Sequence, residues 1–192
     1  MLKTACIAAI MFLFAGFANA QVPGGNVFFG YSYESTNTST FGPSVVASTA
    51  TRPNLNGWEA SFEGKILPLI GIVGDVAGHY GSQSFTELTP NGPLTVNVTG
   101  HEQEYLFGPR LSVPVGNFRP FAEVFVGVAH IHTGGTLPTP SNTSFAYAVG
   151  GGLDYKIIRP IALRVEGDYV RTSFFSTNQN NFRLGVGVVV RF

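Results

Sequence analysis

The sequence predicts an all-β protein, an eight-stranded antiparallel up-and-down transmembrane β-barrel, and three observations carry that expectation. Hydrophobicity alternates with a period of two through most of residues 21–192, the period of a strand whose two faces meet different surroundings. The segments between the alternating runs are by turns long and short. On the greasier face of each run the central stretch carries no Lys or Arg.

Residues 1–20, MLKTACIAAIMFLFAGFANA, place Lys3 before an apolar run from Ala5 to Phe17 and end on Ala18-Asn19-Ala20. They read as a secretory signal peptide cleaved before Gln21, leaving residues 21–192 as one barrel domain. The apolar run falls short of the roughly 20 residues that a spanning helix needs. The single cysteine, Cys6, lies inside this segment. Disulfides, a thiolate nucleophile and cysteine metal sites are therefore excluded from the exported chain. There are 11 acidic and 11 basic residues, so loss of Lys3 leaves one negative charge in excess. That balance offers nothing to nucleic acid. With 24 glycines and 11% charged residues, the composition is far from that of a coiled coil.

Each strand can be justified in order. VFFGYSYE (27–34) sets Val27, Phe29, Tyr31 and Tyr33 against Phe28, Gly30, Ser32 and Glu34. GWEASFEGKI (57–66) sets Trp58, Ala60, Phe62 and Ile66 against Glu59, Ser61, Glu63 and Lys65. IGIVGDVAGHY (70–80) separates Ile70, Ile72, Val76 and Tyr80 from Gly71, Val73, Asp75, Ala77 and His79. HEQEYLFGPRLSV (101–113) separates Tyr105, Phe107, Leu111 and Val113 from Glu102, Glu104, Leu106, Gly108 and Arg110. FAEVFVGVAHIH (121–132) alternates most weakly, with Val124, Val126, Val128 and His130 opposite Glu123, Phe125, Gly127 and Ile131. SFAYAVGGGLDYKI (144–157) opposes Phe145, Tyr147, Val149, Leu153 and Tyr155 to Ala146, Ala148, Gly150, Gly152 and Asp154. IALRVEGDYVRTS (161–173) opposes Leu163, Val165 and Tyr169 to Ala162, Arg164, Glu166 and Asp168. NNFRLGVGVVVRF (180–192) opposes Phe182, Leu184, Val186, Val188, Val190 and Phe192 to Arg183, Gly185, Gly187, Val189 and Arg191.

The long connections are 35–56, 81–100, 133–143 and 174–180, and the short ones are 67–69, 114–120 and 158–160. That order suits a membrane barrel with periplasmic termini and its long loops outside the cell. In lipid every backbone N–H and C=O must pair within the protein, so a sheet can cross only by closing. Eight strands enclose a bore that side chains just fill. The charged face must then be the inner one. Its small residues leave room for Glu59, Glu63, Asp75, Glu102, Glu104, Arg110, Glu123, Arg164, Glu166, Arg183 and Arg191, the candidate ion pairs of a plugged lumen. Mixed signs are needed because an unpaired buried charge costs on the order of several kcal/mol. An Arg or Lys at mid-depth on the lipid face would cost about 2–4 kcal/mol. Tyr31, Tyr33, Trp58, Tyr80, Tyr105, Tyr147, Tyr155, Tyr169, Phe182 and Phe192 lie mostly toward strand ends and suit aromatic girdles at the headgroup levels.

In GWEASFEGKI, YLFGPRLS, RPFAEVFVGVAH, FAYAVGGGLDYKIIRPIALRVEGDYV and FRLGVGVVVRF, the chain resembles the small outer-membrane β-barrel family. That porin-family group includes the OmpA transmembrane domain and the OmpX/Ail proteins. The resemblance implies a place in the bacterial outer membrane, against lipid and lipopolysaccharide, and insertion by the outer-membrane assembly machinery. It implies an assembly signal at Leu184, Val186, Val188, Val190 and Phe192. It departs from full-length OmpA in that no peptidoglycan-binding domain follows Phe192, so a barrel standing alone is expected.

The function expected is structural or interactive, with a filled lumen presenting loops 35–56 and 81–100 to an extracellular partner. No catalytic, cofactor-binding or metal residue is assigned, and no cofactor is expected. A porin-like channel for small solutes is the alternative, and a lipid-modifying outer-membrane enzyme is less favoured. For the enzyme, His130, His132, Ser141, Ser144 and Glu166 could be recruited, but no spacing pairs a His with a Ser. His130 and His132 share a strand face and lack a third ligand nearby, with His79 and His101 across another long loop. Gly150-Gly151-Gly152 lacks the strand-to-helix setting of a phosphate loop and reads as room for neighbouring chains. A soluble lipocalin-like barrel would need an apolar inner face, which the charged runs deny it.

Overall fold

A strand that is apolar on one face and charged on the other can satisfy both only if the sheet curls the charged face inward. The computed structural model shows that closure. It describes residues 24–36, 54–89, 92–135, 141–174 and 178–192. The signal-peptide reading of residues 1–20 and most of loop 35–56 lie outside the described residues. The strands are β1 (Gly25–Ser35), β2 (Asn54–Lys65), β3 (Ile70–Thr89), β4 (Gly92–Ser112), β5 (Phe118–Gly135), β6 (Ser141–Lys156), β7 (Ile161–Thr172) and β8 (Gln179–Arg191). They form a closed barrel in chain order. β8 returns antiparallel to β1 from Asn26↔Arg191 to Ser35↔Phe182, so no sheet edge is left to face lipid.

Burial follows the alternation. In β1, Phe28, Gly30, Ser32 and Glu34 are buried while Val27, Phe29 and Tyr31 are exposed. In β7, Ala162, Arg164, Glu166, Asp168 and Val170 are buried while Leu163, Val165 and Tyr169 face outward. All eight strands contribute to the outer wall, through Phe29, Phe62, Tyr80, Phe107, Val126, Val149, Val165 and Val186 among others. An apolar surface continuous around a whole protein would drive aggregation in water; in a bilayer it is the solvated surface.

The short turns close one end. Leu67 and Ile70 exchange backbone hydrogen bonds at 3.0 and 3.2 Å, as do Val115 and Phe118 at 2.8 and 3.0 Å and Ile158 and Ile161 at 3.2 and 2.7 Å. The expected connection 114–120 is shorter in the structure. β5 starts at Phe118, because Phe118↔Tyr155 and Arg119↔Asp154 extend the same alternation one more step.

The larger correction is at 81–100, expected as a loop. β3 and β4 continue through it as a paired hairpin, from Gly81↔Gly100 to Thr89↔Gly92. β5 accompanies this extension only as far as Val98↔Gly135. From Ser84↔Asn97 the two strands pair with no third strand among the described residues, over about 20 Å at the rise of a strand. The β-branched residues of Leu94-Thr95-Val96-Asn97-Val98-Thr99 favour this extended pairing.

The bore has an apolar sector as well as charged ones. Val73, Leu106, Phe125, Ala129, Ile131, Ala146, Ala148, Val170 and Phe174 pack as one buried cluster. Phe174 belongs to the β7–β8 connection and closes the outer end of this cluster. Its N–H donates to Gln179 Oε1 at 2.8 Å, and Gln179 Nε2 donates to the Phe174 carbonyl at 3.1 Å.

Candidate functional site

Because strand neighbours tilt around the bore, side chains from non-adjacent strands converge at its axis. Arg183 of β8 is the centre of the outer half. Its guanidinium reaches Asp168 on β7 at 2.8 Å, Asp75 on β3 at 2.9 Å, Glu104 on β4 at 3.0 Å and Glu59 on β2 at 3.5 Å. β8 and β4 lie on opposite sides of the closed sheet, so the Arg183–Glu104 bond spans the lumen. Charge-assisted bonds of this kind are the stronger class of hydrogen bond.

The inner half is organised by Arg110 and Arg164. Arg110 bonds Glu123 across β4–β5 and lies 3.5 Å from Glu63 and 3.6 Å from Glu166. Arg164 donates to Asp154 at 2.6 and 3.2 Å and lies 3.7 Å from Glu166. Both guanidiniums lie over the Phe121 ring, Arg110 at 4.5 Å and Arg164 at 4.6 Å from its centroid. Such contacts pay back part of the desolvation of a buried cation. At the rim formed by the short turns, Arg191 bonds Asp154 at 2.9 Å and Lys65 bonds Glu63 at 2.5 Å.

Of the candidate lumen residues, Glu102 alone has no basic partner within ion-pair distance among the described residues. Sequence reasoning also passed over Glu34, His79, Asp154 and Asp168, all buried. The same alternation points each of them inward, two residues from Ser32, Ala77, Gly152 and Glu166 respectively.

A distinct arrangement lies above Arg183. His79 Nε2 is 2.9 Å from Ser32 Oγ, and His79 Nδ1 is 3.1 Å from Glu34 Oε2. Ser32 and His79 belong to β1 and β3, on either side of β2. They meet because their shared register partner on β2 is Gly57, where a side chain would run into the backbone of Gly78 and His79. The order Ser–His–Glu has the connectivity of a hydrolytic triad. However, all three residues are fully buried, and the Nδ1–Glu34 contact lacks hydrogen-bond alignment.

The exterior histidines are separate. His132 is paired in register with His101 on β4 and with Ser141 on β6. His130 bonds Thr143 Oγ1 at 2.7 Å, and His101 stands edge-on to Tyr80 at 5.2 Å. Ser144 Oγ accepts the Ser173 N–H at 3.2 Å. Glu166 lies inside the bore, across the wall from His130 and His132. His79 is likewise separated from His101, which faces outward.

No protein-family model matches the chain, and no curated protein matches it. Solved structures do match in fold. Neisserial surface protein A aligns with a TM-score of 0.61 at 11% identity, over 88% of this chain and 97% of that one. Ail, the attachment invasion locus protein of Yersinia pestis, aligns with a TM-score of 0.55 at 14% identity, over 88% and 98%. The chain therefore has the fold of the small bacterial outer-membrane β-barrels. Within that fold its bore is crossed by ion pairs, and its β3–β4 hairpin extends past the last pairing of β4 with β5.

Proposed function

We propose that this barrel acts in the bacterial outer membrane as a structural, surface-interaction protein: a rigid wall that presents its outer segments to an extracellular partner. The carrying observation is the Arg183 cluster, which ties β8 to β2, β3, β4 and β7 across the bore. A lumen crossed this way, with Phe174 packed at its outer end, serves as a strut and offers no path to solute. The projecting hairpin supports the surface role, since among the described residues no strand pairs with its two outer edges, on which an extended partner segment can add. The buried Ser32 hydroxyl gives the wall no reactive group that a substrate reaches, so the reading is non-enzymatic. The test is conductance of the folded protein in planar lipid bilayers. The expected result is a silent membrane; steady open channels would favour the small-solute porin instead.

The same reading makes Phe192 the residue by which the assembly machinery recognises the chain, with Leu184, Val186, Val188 and Val190 before it. Phe192 and Gly25 exchange backbone hydrogen bonds at 3.0 and 3.1 Å, and the Phe192 ring stacks on Phe62 at 6.1 Å. Its removal takes away two closing bonds of a ladder that has ten further register pairs. Deleting Phe192 is therefore expected to lower outer-membrane levels in cells while the purified chain still folds in detergent. Equal levels of mutant and wild type in isolated outer membranes would count against the signal.

A further inference from the structure

The outer half of the lumen holds more negative charge than its arginine can balance. Glu34, Glu59, Asp75, Glu102, Glu104 and Asp168 are all buried there, and Arg183 is the one buried Lys or Arg among them in the described residues. Arg183 bonds or approaches Glu59, Asp75, Glu104 and Asp168. Glu102 is left out. It is fully buried, and neither of its oxygens has a hydrogen-bond partner among the described residues. The charges it interacts with are Glu34 and Glu104, both of its own sign.

Beside it stands a group with ligand geometry. One ligand atom each of Glu34, His79 and Glu104 lie within 4.8 Å of one another. His79 is the cross-strand register partner of Glu102, so the two side chains leave adjacent backbone positions on the same face. His79 Nδ1 and Glu34 Oε2 are 3.1 Å apart without hydrogen-bond alignment. Two ligands on one zinc ion, each about 2.0 Å from it, stand about 3.3 Å apart. Ser32 holds the other ring nitrogen at 2.9 Å. With the Ser32 hydroxyl accepting from Nε2–H, the tautomer leaves the Nδ1 lone pair free, as the outer partners of metal-bound histidines do.

We propose that Glu34, His79 and Glu104, with Glu102 beside them, form a binding site for one divalent transition-metal ion of the zinc class in the outer half of the lumen. An imidazole among carboxylates favours such an ion over calcium or magnesium, which take oxygen ligands. The ion supplies the positive charge that Glu102 lacks and ties β1, β3 and β4 together above the Arg183 cluster. This goes beyond the structural role argued above and stands whether or not the lumen conducts.

The test uses the complete barrel, folded in detergent, stripped with a chelator and free of any polyhistidine tag. Zn²⁺ is the probe, read by equilibrium dialysis with elemental analysis. One ion per barrel is expected. His79→Ala and Glu102→Gln, each confirmed as folded by its heat-modifiable gel shift, should each bind at least about tenfold more weakly. Glu102→Gln keeps the test open if His79→Ala fails to fold, because it removes a charge from an acid-crowded site. Without metal it should convert to the unfolded band at a temperature no lower than wild type, and Zn²⁺ should raise that temperature less. His132→Ala, on the outer wall, should bind as wild type does, and Ca²⁺ should not displace Zn²⁺. The proposal is overturned if the wild type retains no Zn²⁺, if the lumen variants retain it as the wild type does, if only His132→Ala loses it, or if Ca²⁺ competes equally.

Discussion

Replacing Arg183 with methionine is expected to cost the barrel about 3–5 kcal/mol, the usual penalty for removing one partner from a buried charge cluster. The side chain that remains is of similar length, so little cavity is created. What is lost is, among the described residues, the only cation within ion-pair reach of Asp75, Glu104 and Asp168, each within 3.0 Å of the guanidinium. Those carboxylates would then repel one another in a medium that screens poorly. Urea unfolding of the lipid-reconstituted protein, followed by the fluorescence of Trp58, the single tryptophan, would measure the loss. Neutralising two of the stranded carboxylates with Glu104→Gln and Asp168→Asn in the Arg183→Met background should recover a large part of it. A loss below about 1 kcal/mol, the range of exposed pairs, would mean that the lumen is wetter than this geometry implies.

The folded wall could be read from single residues because each one declares its own face. Val186 and Arg183 point in opposite directions whatever their partners are, so the period of two sufficed to orient all eight strands. Pairing is a different kind of information. That Arg183 meets Glu104 on the far side of the bore depends on strand tilt and register, which no local pattern encodes. The meeting of Ser32 with His79 depends on Gly57 between them, a residue whose importance shows only once β1, β2 and β3 are aligned. At 81–100, Ser, Thr, Asn and Pro suggested a loop. The alternation in Thr95-Val96-Asn97-Val98 and the turn residues Pro90-Asn91-Gly92 were the signal for a hairpin. Composition outweighed periodicity there, and periodicity was the better guide. The lumen candidates suffered the opposite bias. Glu34, Asp154 and Asp168 sit on faces already assigned inward and needed only the same rule applied to the ends of the strands.

The largest effect expected on the outer wall is at Val188. This residue lies near the middle of the outward-facing run from Phe182 to Phe192, exposed, with Phe29 of β1 and Leu163 of β7 as its register partners. An arginine here has no carboxylate on its own face to meet and must carry its charge into hydrocarbon or bend toward a headgroup. Val188→Arg is therefore expected to destabilise the barrel in lipid vesicles by about 2–4 kcal/mol. Phe182 shares the same face of the same strand near its outer end, opposite Tyr169 and Ser35. Phe182→Arg should cost only about 0–1 kcal/mol, as expected near an interface. Equal costs at the two positions would mean that Val188 is not at mid-depth. A reversed order would shift the apolar belt toward the long-loop end. The difference between the two substitutions measures depth directly, because strand, face and introduced side chain are the same and only the distance from the bilayer centre changes.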